Sequence, residues 1–190
     1  MSAKIRLNLA NRLTLGRIVA IPFFAAAVLY YSPDKDYLRF AALGIFLFAA
    51  VLDFLDGYIA RKFGQVTRAG SILDPLADKM LLMSAFICLH LIRKDLPIHF
   101  PVWFVVFVIS RDVILMLGAL VMQIVKGNLH PQPSTWGKAG TFVQICSVAV
   151  LLLQWPYAPV VWYMATAVSA VAALQYLRNG LQTLSEGSEA

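Results

Sequence analysis

The chain has 190 residues, of which 60% are hydrophobic and 14% are charged, and its formal net charge is +6. Soluble domains carry about a quarter charged residues, so the composition argues against a soluble protein and indicates an integral membrane protein. The alternative, a soluble all-helical bundle, does not account for apolar runs of about 20 residues that recur along the chain. No nucleic acid partner is needed to explain the positive charge, because a basic protein face beside anionic lipid is sufficient.

Six apolar segments predict an all-α protein with six transmembrane helices, since each segment can cross a hydrocarbon core of about 30 Å. The segments lie at approximately 13–31, 37–61, 71–92, 100–124, 139–155 and 158–178. Residues 1–12 interleave apolar and basic side chains, which favours a short amphipathic helix in the plane of the lipid headgroups over a frayed basic terminus. Residues 13–178 would form one membrane domain, and 179–190 a cytoplasmic tail.

The distribution of lysine and arginine predicts the orientation of the chain. If the N-terminus is cytoplasmic, ten basic residues fall on the cytoplasmic side of the membrane and four on the opposite side. This bias follows the positive-inside rule. We therefore predict a multi-pass protein of the cytoplasmic (inner) membrane with both termini in the cytoplasm.

Four aspartates interrupt the second and third apolar segments: Asp53, Asp56, Asp74 and Asp78. Spacings of three and four residues place each pair on one face of its helix. At about 1.5 Å per residue, both pairs fall at similar depths below the cytoplasmic interface. Two neighbouring antiparallel helices would therefore direct four carboxylates towards one spot that faces the cytoplasm.

Four unpaired carboxylates at one spot in a membrane would repel one another and lose their hydration. A divalent cation is the expected counter-charge, and oxygen ligands suit Mg²⁺, Mn²⁺ or Ca²⁺ better than zinc. In the simplest alternative the acids only pair with neighbouring cations, namely Arg61, Lys62, Arg68 and Lys79. A cation-coupled carrier is an alternative of another class, but the internal repeat common in carriers is not visible.

Small residues and an arginine follow the second aspartate. Gly57 and Ala60 would let a ligand approach the backbone closely. Arg61 carries a guanidinium that can bind a phosphate through two parallel hydrogen bonds. Together with the acids, these residues indicate a pyrophosphate substrate that is also a lipid.

The full pattern is Asp53-x-x-Asp56-Gly57-x-x-Ala60-Arg61, eight residues, then Gly70-x-x-x-Asp74-x-x-x-Asp78. It resembles the signature of the CDP-alcohol phosphotransferase family at every position. Outside the signature, "NLANRLTLGRIVAIPFF" and "STWGKAGTFVQ" are similar to segments of the bacterial phosphatidylglycerophosphate synthases, a branch of that family.

This resemblance implies a six-helix membrane enzyme, usually a homodimer, that transfers a phosphatidyl group from CDP-diacylglycerol to an alcohol and releases CMP. By position, the four aspartates would hold two divalent ions, Mg²⁺ or Mn²⁺, and Asp78 would also act as the base on the acceptor hydroxyl. The residues that would line the CDP moiety are Gly57, Ala60, Arg61, Thr67 and Gly70. We expect a direct in-line attack, because no Ser-His or Cys-His arrangement is evident for a covalent intermediate.

The resemblance also implies that Arg111 and Lys138 bind the phosphate of glycerol 3-phosphate, the expected acceptor. The alternatives are that Arg111 pairs with Asp112 or Asp78, and that Lys138 is an ordinary interfacial lysine. The triplet Arg111-Asp112-Val113 is similar to that of the cardiolipin synthases in the same superfamily, whose acceptor is phosphatidylglycerol. That acceptor and inositol phosphate therefore stay open.

Overall fold

The computed structural model is all-helical over the residues that it describes, 9–63, 70–126 and 135–186. Side chains are described for 15–55, 79–118, 137–176 and 178. The α-helices are α1 (Leu9–Leu29), α2 (Tyr37–Phe63), α3 (Gly70–Leu91), α4 (Val102–Lys126), α5 (Thr135–Leu152) and α6 (Ala158–Glu186). A short 3₁₀ helix, Pro33–Lys35, lies between α1 and α2.

The helices coincide with the six predicted apolar segments, which confirms the all-α fold. By length and composition, two described stretches can cross a membrane, Tyr37–Leu55 in α2 and Ala158–Tyr176 in α6. Shorter apolar stretches occur in α1, α3 and α5. The count of six membrane crossings stays a prediction. So does the interfacial segment, because residues 1–8 lie outside the described residues and 9–12 begin α1.

One compact unit comprises residues 1–99 and 152–154, and α1 contacts both α2 and α3 within it. The buried residues of α1 recur every three or four positions, which places Arg17, Ala20, Phe24 and Val28 on one face. The ring of Phe24 lies 5.7 Å from that of Phe46 on α2. This face of α1 therefore forms the centre of the unit's core.

The second unit comprises residues 100–151 and 155–190, and α4 contacts α6 within it. Aromatic rings join the first turns of α6 to the first turn of α4 and to Phe100, which lies just before α4. Phe100 lies 5.3 Å from Trp162 between ring centroids, and Trp103 stacks on Tyr163 at 5.5 Å. Such ring pairs stabilise a core beyond the area that they bury.

Large apolar side chains stay exposed along the described helices. Phe23, Phe48, Phe54 and Leu174 are each more than 60% exposed. Soluble proteins rarely leave so much apolar surface in contact with water. This is the surface expected of helices that are surrounded by lipid.

The end of α5 is a left-handed turn at Gln154, whose φ is 52°. The amide of Trp155 donates a 3.0 Å hydrogen bond to the carbonyl of Val150, which closes the turn in the manner of a Schellman motif. Glycine is the usual residue at such a position because a side chain is strained there. Here the Gln154 amide compensates: it accepts from the Ile98 N–H at 2.8 Å and donates to the Ile98 carbonyl at 3.0 Å.

Candidate functional site

The predicted acidic motif lies on two helices of the first unit. Asp53 and Asp56 belong to the last three turns of α2, whereas Asp74 and Asp78 belong to the first turns of α3. The two helices contact each other, and both contact α1. The motif is therefore carried by packed neighbours in the fold.

Most side chains of this motif lie outside those that the structure describes: Asp56, Gly57, Ala60, Arg61, Gly70, Asp74 and Asp78. Thr67 lies outside the described residues altogether. The predicted convergence of four carboxylates therefore remains a prediction. Among the described side chains, no group of three or more histidine, cysteine or acidic residues is close enough to hold a metal ion.

Asp53 is the described member of the motif, and it forms an ion pair with Arg17 on α1. Nη1 of Arg17 lies 2.7 Å from Oδ1 of Asp53. The Arg17 side chain is fully buried, while the Asp53 side chain is 37% exposed. A buried guanidinium thus lies against one oxygen of a carboxylate side chain that is partly exposed.

The packing of α1 against α2 positions this pair. Arg17 lies on the buried face of α1, and Asp53 continues the buried series of α2 that includes Ala49, at four-residue spacing. The residues next to the pair also approach closely, because a Cβ added to Gly16 would be in van der Waals contact with Cδ1 of Leu52, at 3.5 Å. The close approach of α1 and α2 at Gly16 and Leu52, which directly precede Arg17 and Asp53, brings the two charged groups together.

The chemistry of Asp53 fits a role as a ligand of a hard divalent cation. Carboxylate oxygens are preferred ligands of Mg²⁺ and Mn²⁺. Carboxylates that bind metals are commonly held in orientation by a further hydrogen bond or ion pair. Arg17 provides such an interaction for Asp53. Sequence reasoning did not assign Arg17 to the site, although a lone arginine within an apolar helix is a signal of a buried partner.

The two predicted acceptor-binding residues lie in the second unit and differ in their environment. Arg111 on α4 is buried, and its Nη1 donates a 2.6 Å hydrogen bond to Oδ1 of Asp112. Both side chains are at most 4% exposed. Lys138, in the first turn of α5, is exposed. The structure thus contains the Arg111–Asp112 ion pair, which the sequence analysis gave as the alternative to phosphate binding by Arg111. The hydrogen bond of this pair uses one guanidinium nitrogen, Nη1.

A family model for CDP-alcohol phosphatidyltransferases matches residues 7–174 of the chain. This chain belongs to the CDP-alcohol phosphatidyltransferase family. The family is embedded in membranes and generally depends on divalent metal ions. The resemblance inferred from the acidic motif is confirmed.

Curated relatives within this family cover most of the chain. A probable phosphatidylglycerophosphate synthase of Mycobacterium tuberculosis (strain H37Rv) is 34% identical over 183 residues, covering 93% of this chain and 83% of the relative. A CDP-diacylglycerol–glycerol-3-phosphate 3-phosphatidyltransferase of Bacillus subtilis (strain 168) is 31% identical over 198 residues, with 93% and 97% covered. The protein of that name from Shigella flexneri is 36% identical over 186 residues, with 94% and 93% covered.

Proposed function

We propose that this protein transfers the phosphatidyl group of CDP-diacylglycerol to glycerol 3-phosphate, giving phosphatidylglycerol phosphate and CMP. The observation that carries the proposal is similarity along nearly the whole chain to relatives that bear the name of this reaction. The intact acidic motif on α2 and α3 adds to it, because that motif carries the chemistry common to the family.

The proposed donor site uses residues of the first unit. Asp53, Asp56, Asp74 and Asp78 would hold two divalent ions, Mg²⁺ or Mn²⁺, and the CDP moiety would be bound by Gly57, Ala60, Arg61, Thr67 and Gly70. When bound, such ions reduce the charge on the pyrophosphate and stabilise the CMP leaving group. The ion pair with Arg17 supports this assignment for Asp53, since it holds that carboxylate in one orientation.

Asp78 is the proposed general base. The attacking hydroxyl of the acceptor has a high pKa, so it needs a carboxylate within hydrogen-bond reach to take its proton as the new P–O bond forms. Asp78 lies one turn before the buried Leu82 on α3. In a direct in-line attack, the oxygen of the acceptor replaces the CMP oxygen on the phosphorus.

The test of the reaction is an acceptor panel with the purified protein. CDP-diacylglycerol and Mn²⁺ or Mg²⁺ are combined with glycerol 3-phosphate, phosphatidylglycerol, inositol 1-phosphate or serine, and CMP release is measured. We expect CMP release with glycerol 3-phosphate. Release with phosphatidylglycerol alone would instead support a cardiolipin synthase, the alternative favoured by the triplet Arg111-Asp112-Val113. No release with any acceptor would contradict the proposal.

The role of Asp78 is tested with Asp78→Asn. This variant should still bind Mn²⁺, because an amide oxygen can remain a ligand, but should lose about 100-fold or more in kcat, since general base catalysis contributes on that order. Mn²⁺ binding is measured by electron paramagnetic resonance, separately from turnover. An unchanged kcat would exclude Asp78 as the base.

The proposed setting is a homodimer in the cytoplasmic (inner) membrane, crossed six times, with the site open to the cytoplasm. The exposed apolar side chains of the described helices support burial in lipid. The basic residues assigned to the cytoplasmic side support the orientation.

A further inference from the structure

Arg17 is a fully buried cation in the middle of an apolar helix. Its side chain is 0% exposed, and α1 contains no acidic residue that could neutralise it. Removal of an ionised group from water is costly unless a group of opposite charge compensates. The compensating charge therefore comes from another helix, and Asp53 on α2 supplies it at 2.7 Å.

The charge of Arg17 is held in place by the core of the first unit. Arg17 lies on the same face of α1 as Ala20 and Phe24, which are buried with it. A guanidinium enclosed in this way cannot turn towards water when a second cation approaches Asp53. Its positive charge is therefore a permanent part of the site, with or without a metal ion.

Asp53 lies at the edge of this buried region. Its Oδ1 lies against Arg17, while its side chain is 37% exposed. A divalent ion that binds Asp53, as proposed above, shares the carboxylate with the guanidinium. Two positive groups at one carboxylate repel each other, and in a partly buried site this repulsion is screened less than in water. Arg17 therefore lowers the affinity of Asp53 for a divalent ion.

The donor substrate brings the charge that relieves this repulsion. The four aspartates of the motif carry four negative charges, which the two proposed divalent ions neutralise. The positive charges of Arg17 and Arg61 are then in excess. The diphosphate of CDP-diacylglycerol carries two negative charges, so bound donor matches this excess.

We propose that Arg17 couples the binding of the divalent ion at Asp53 to the binding of CDP-diacylglycerol. Without the donor, Arg17 partly neutralises Asp53 and keeps the affinity for that ion low. With the donor, the diphosphate compensates the excess charge, and the affinity rises. By thermodynamic linkage the ion raises the affinity for the donor by the same factor. This inference rests on the proposed function and deepens it, because it adds a regulation of the same site.

The first test measures Mn²⁺ binding to the full-length wild type, without acceptor so that no transfer takes place. Mn²⁺ is titrated by electron paramagnetic resonance in detergent micelles, with and without CDP-diacylglycerol, and Mn²⁺ bound by the lipid alone is subtracted with protein-free micelles. We expect one ion to bind about tenfold more tightly with the donor, a factor typical of coupled sites. Equal Mn²⁺ affinities with and without the donor would overturn the inference.

The second test separates the charge of Arg17 from its geometry. Arg17→Gln removes the charge but keeps an N–H donor for Asp53, whereas Arg17→Lys keeps the charge but loses the guanidinium. Without the donor, Arg17→Gln should bind Mn²⁺ about tenfold more tightly than the wild type, and the effect of the donor should be correspondingly smaller. Arg17→Lys should resemble the wild type in both measurements.

A purely structural role for Arg17 predicts the opposite change. If Arg17 only orients Asp53, both variants lose that orientation and bind Mn²⁺ more weakly than the wild type, and this result would contradict the coupling. Arg39→Gln is the matched control, because Arg39 also pairs with an aspartate at 2.7 Å, Asp36, outside the motif. Its Mn²⁺ affinity should equal that of the wild type. Melting in chelator shows that each variant is folded, and if Arg17→Gln is not, the wild-type titration decides.

The outcomes separate this inference from the proposed function. If the wild type releases CMP with glycerol 3-phosphate, but Arg17→Gln keeps the wild-type Mn²⁺ affinity and donor effect, the coupling is wrong and the reaction stands. If the wild type releases no CMP with any acceptor, the proposed function fails. In that case the Mn²⁺ titrations without donor still show whether Arg17 opposes the ion at Asp53.

Discussion

Arg17 and Asp53 form a pair whose electrostatics should depend on the metal content of the site. Arg17 lies 2.7 Å from Asp53, a member of the acidic motif. If Asp53 is a ligand, a bound cation supplies a second positive charge to the same carboxylate. The contribution of Arg17 to stability should therefore be larger in the metal-free protein.

Arg17→Met should lower the free energy of unfolding in chelator by about 2 kcal/mol, since it removes the buried cation that pairs with a partly buried carboxylate. Saturating Mn²⁺ should recover part of this loss, measured as the difference in melting temperature from the wild type. Arg39→Met is the control, because Arg39 pairs with Asp36, outside the motif, and its effect should not depend on Mn²⁺. If Arg17→Met lowers the melting temperature equally with and without Mn²⁺, then Arg17 and the metal ion do not interact with the same carboxylate.

Asp36 provides a prediction about pH at the start of α2. Arg39 donates hydrogen bonds from Nε and Nη2 to the two carboxylate oxygens of Asp36, at 2.7 and 2.8 Å, and this lowers the pKa of Asp36. A lowered pKa in the folded state stabilises the protein above the pKa of the unfolded chain, about 3.9, and that stabilisation disappears as the pH falls through the folded value. Asp36→Asn should therefore lower the melting temperature at pH 6 and not at the lowest pH at which the wild type stays folded. An equal difference in melting temperature between Asp36→Asn and the wild type at both pH values would show that the stabilisation does not come from the ionised carboxylate.

Gln154 shows how an element boundary can depend on a distant side chain. Its left-handed φ at the end of α5 is maintained by two hydrogen bonds to the backbone of Ile98, 56 residues earlier. Gln154→Ala should destabilise the protein by about 2 kcal/mol, because it loses both bonds and keeps a side chain in a strained conformation. Gln154→Gly should cost less, since glycine adopts this φ without strain. Thermal unfolding of both variants tests this order of stability. A Gln154→Gly variant that melts below Gln154→Ala would contradict the prediction.

The helices were predictable because the length and hydrophobicity of each segment are local properties of the sequence. The boundaries of the helices were less predictable than their existence. The predicted fifth segment is 139–155, but α5 begins at Thr135, four residues earlier, and ends at Leu152, three residues earlier. Its C-terminus follows from the turn at Gln154, which requires Ile98. A contact over such a separation has no local signal.

The acidic motif was predictable because the spacing of its residues is a local pattern. The partner of Asp53 was not, since Arg17 reaches it only through the packing of α1 against α2. The spacing of the acidic residues in the sequence predicted the metal chemistry, whereas only the packing of the helices identified Arg17 as the residue that supports Asp53.

At the scale of the whole molecule, the six proposed membrane crossings would place both termini on the same side, which the distribution of lysine and arginine predicts to be the cytoplasmic one. The two cysteines, Cys88 and Cys146, lie within α3 and α5, so they can be replaced by alanine before single cysteines are introduced. Lys35→Cys, between α1 and α2, should react with a membrane-impermeant maleimide added to spheroplasts. Ala190→Cys should react only after lysis. Labelling of Ala190→Cys in intact spheroplasts would contradict the orientation.

The first unit is discontinuous in the chain, and this affects the order in which it can be completed. Arg39 donates from Nη1 to the carbonyl of Leu152 at 2.6 Å, across 113 residues, and Ile98 binds Gln154. Both contacts require that the ribosome has released the turn after α5. The hydrogen bonds of Arg39 and Ile98 to the end of α5 can therefore form only after α5 has been synthesised, later than the insertion of α1, α2 and α3. A nascent chain arrested shortly before Leu152 should be more sensitive to the proteases of membrane quality control than one arrested after α6.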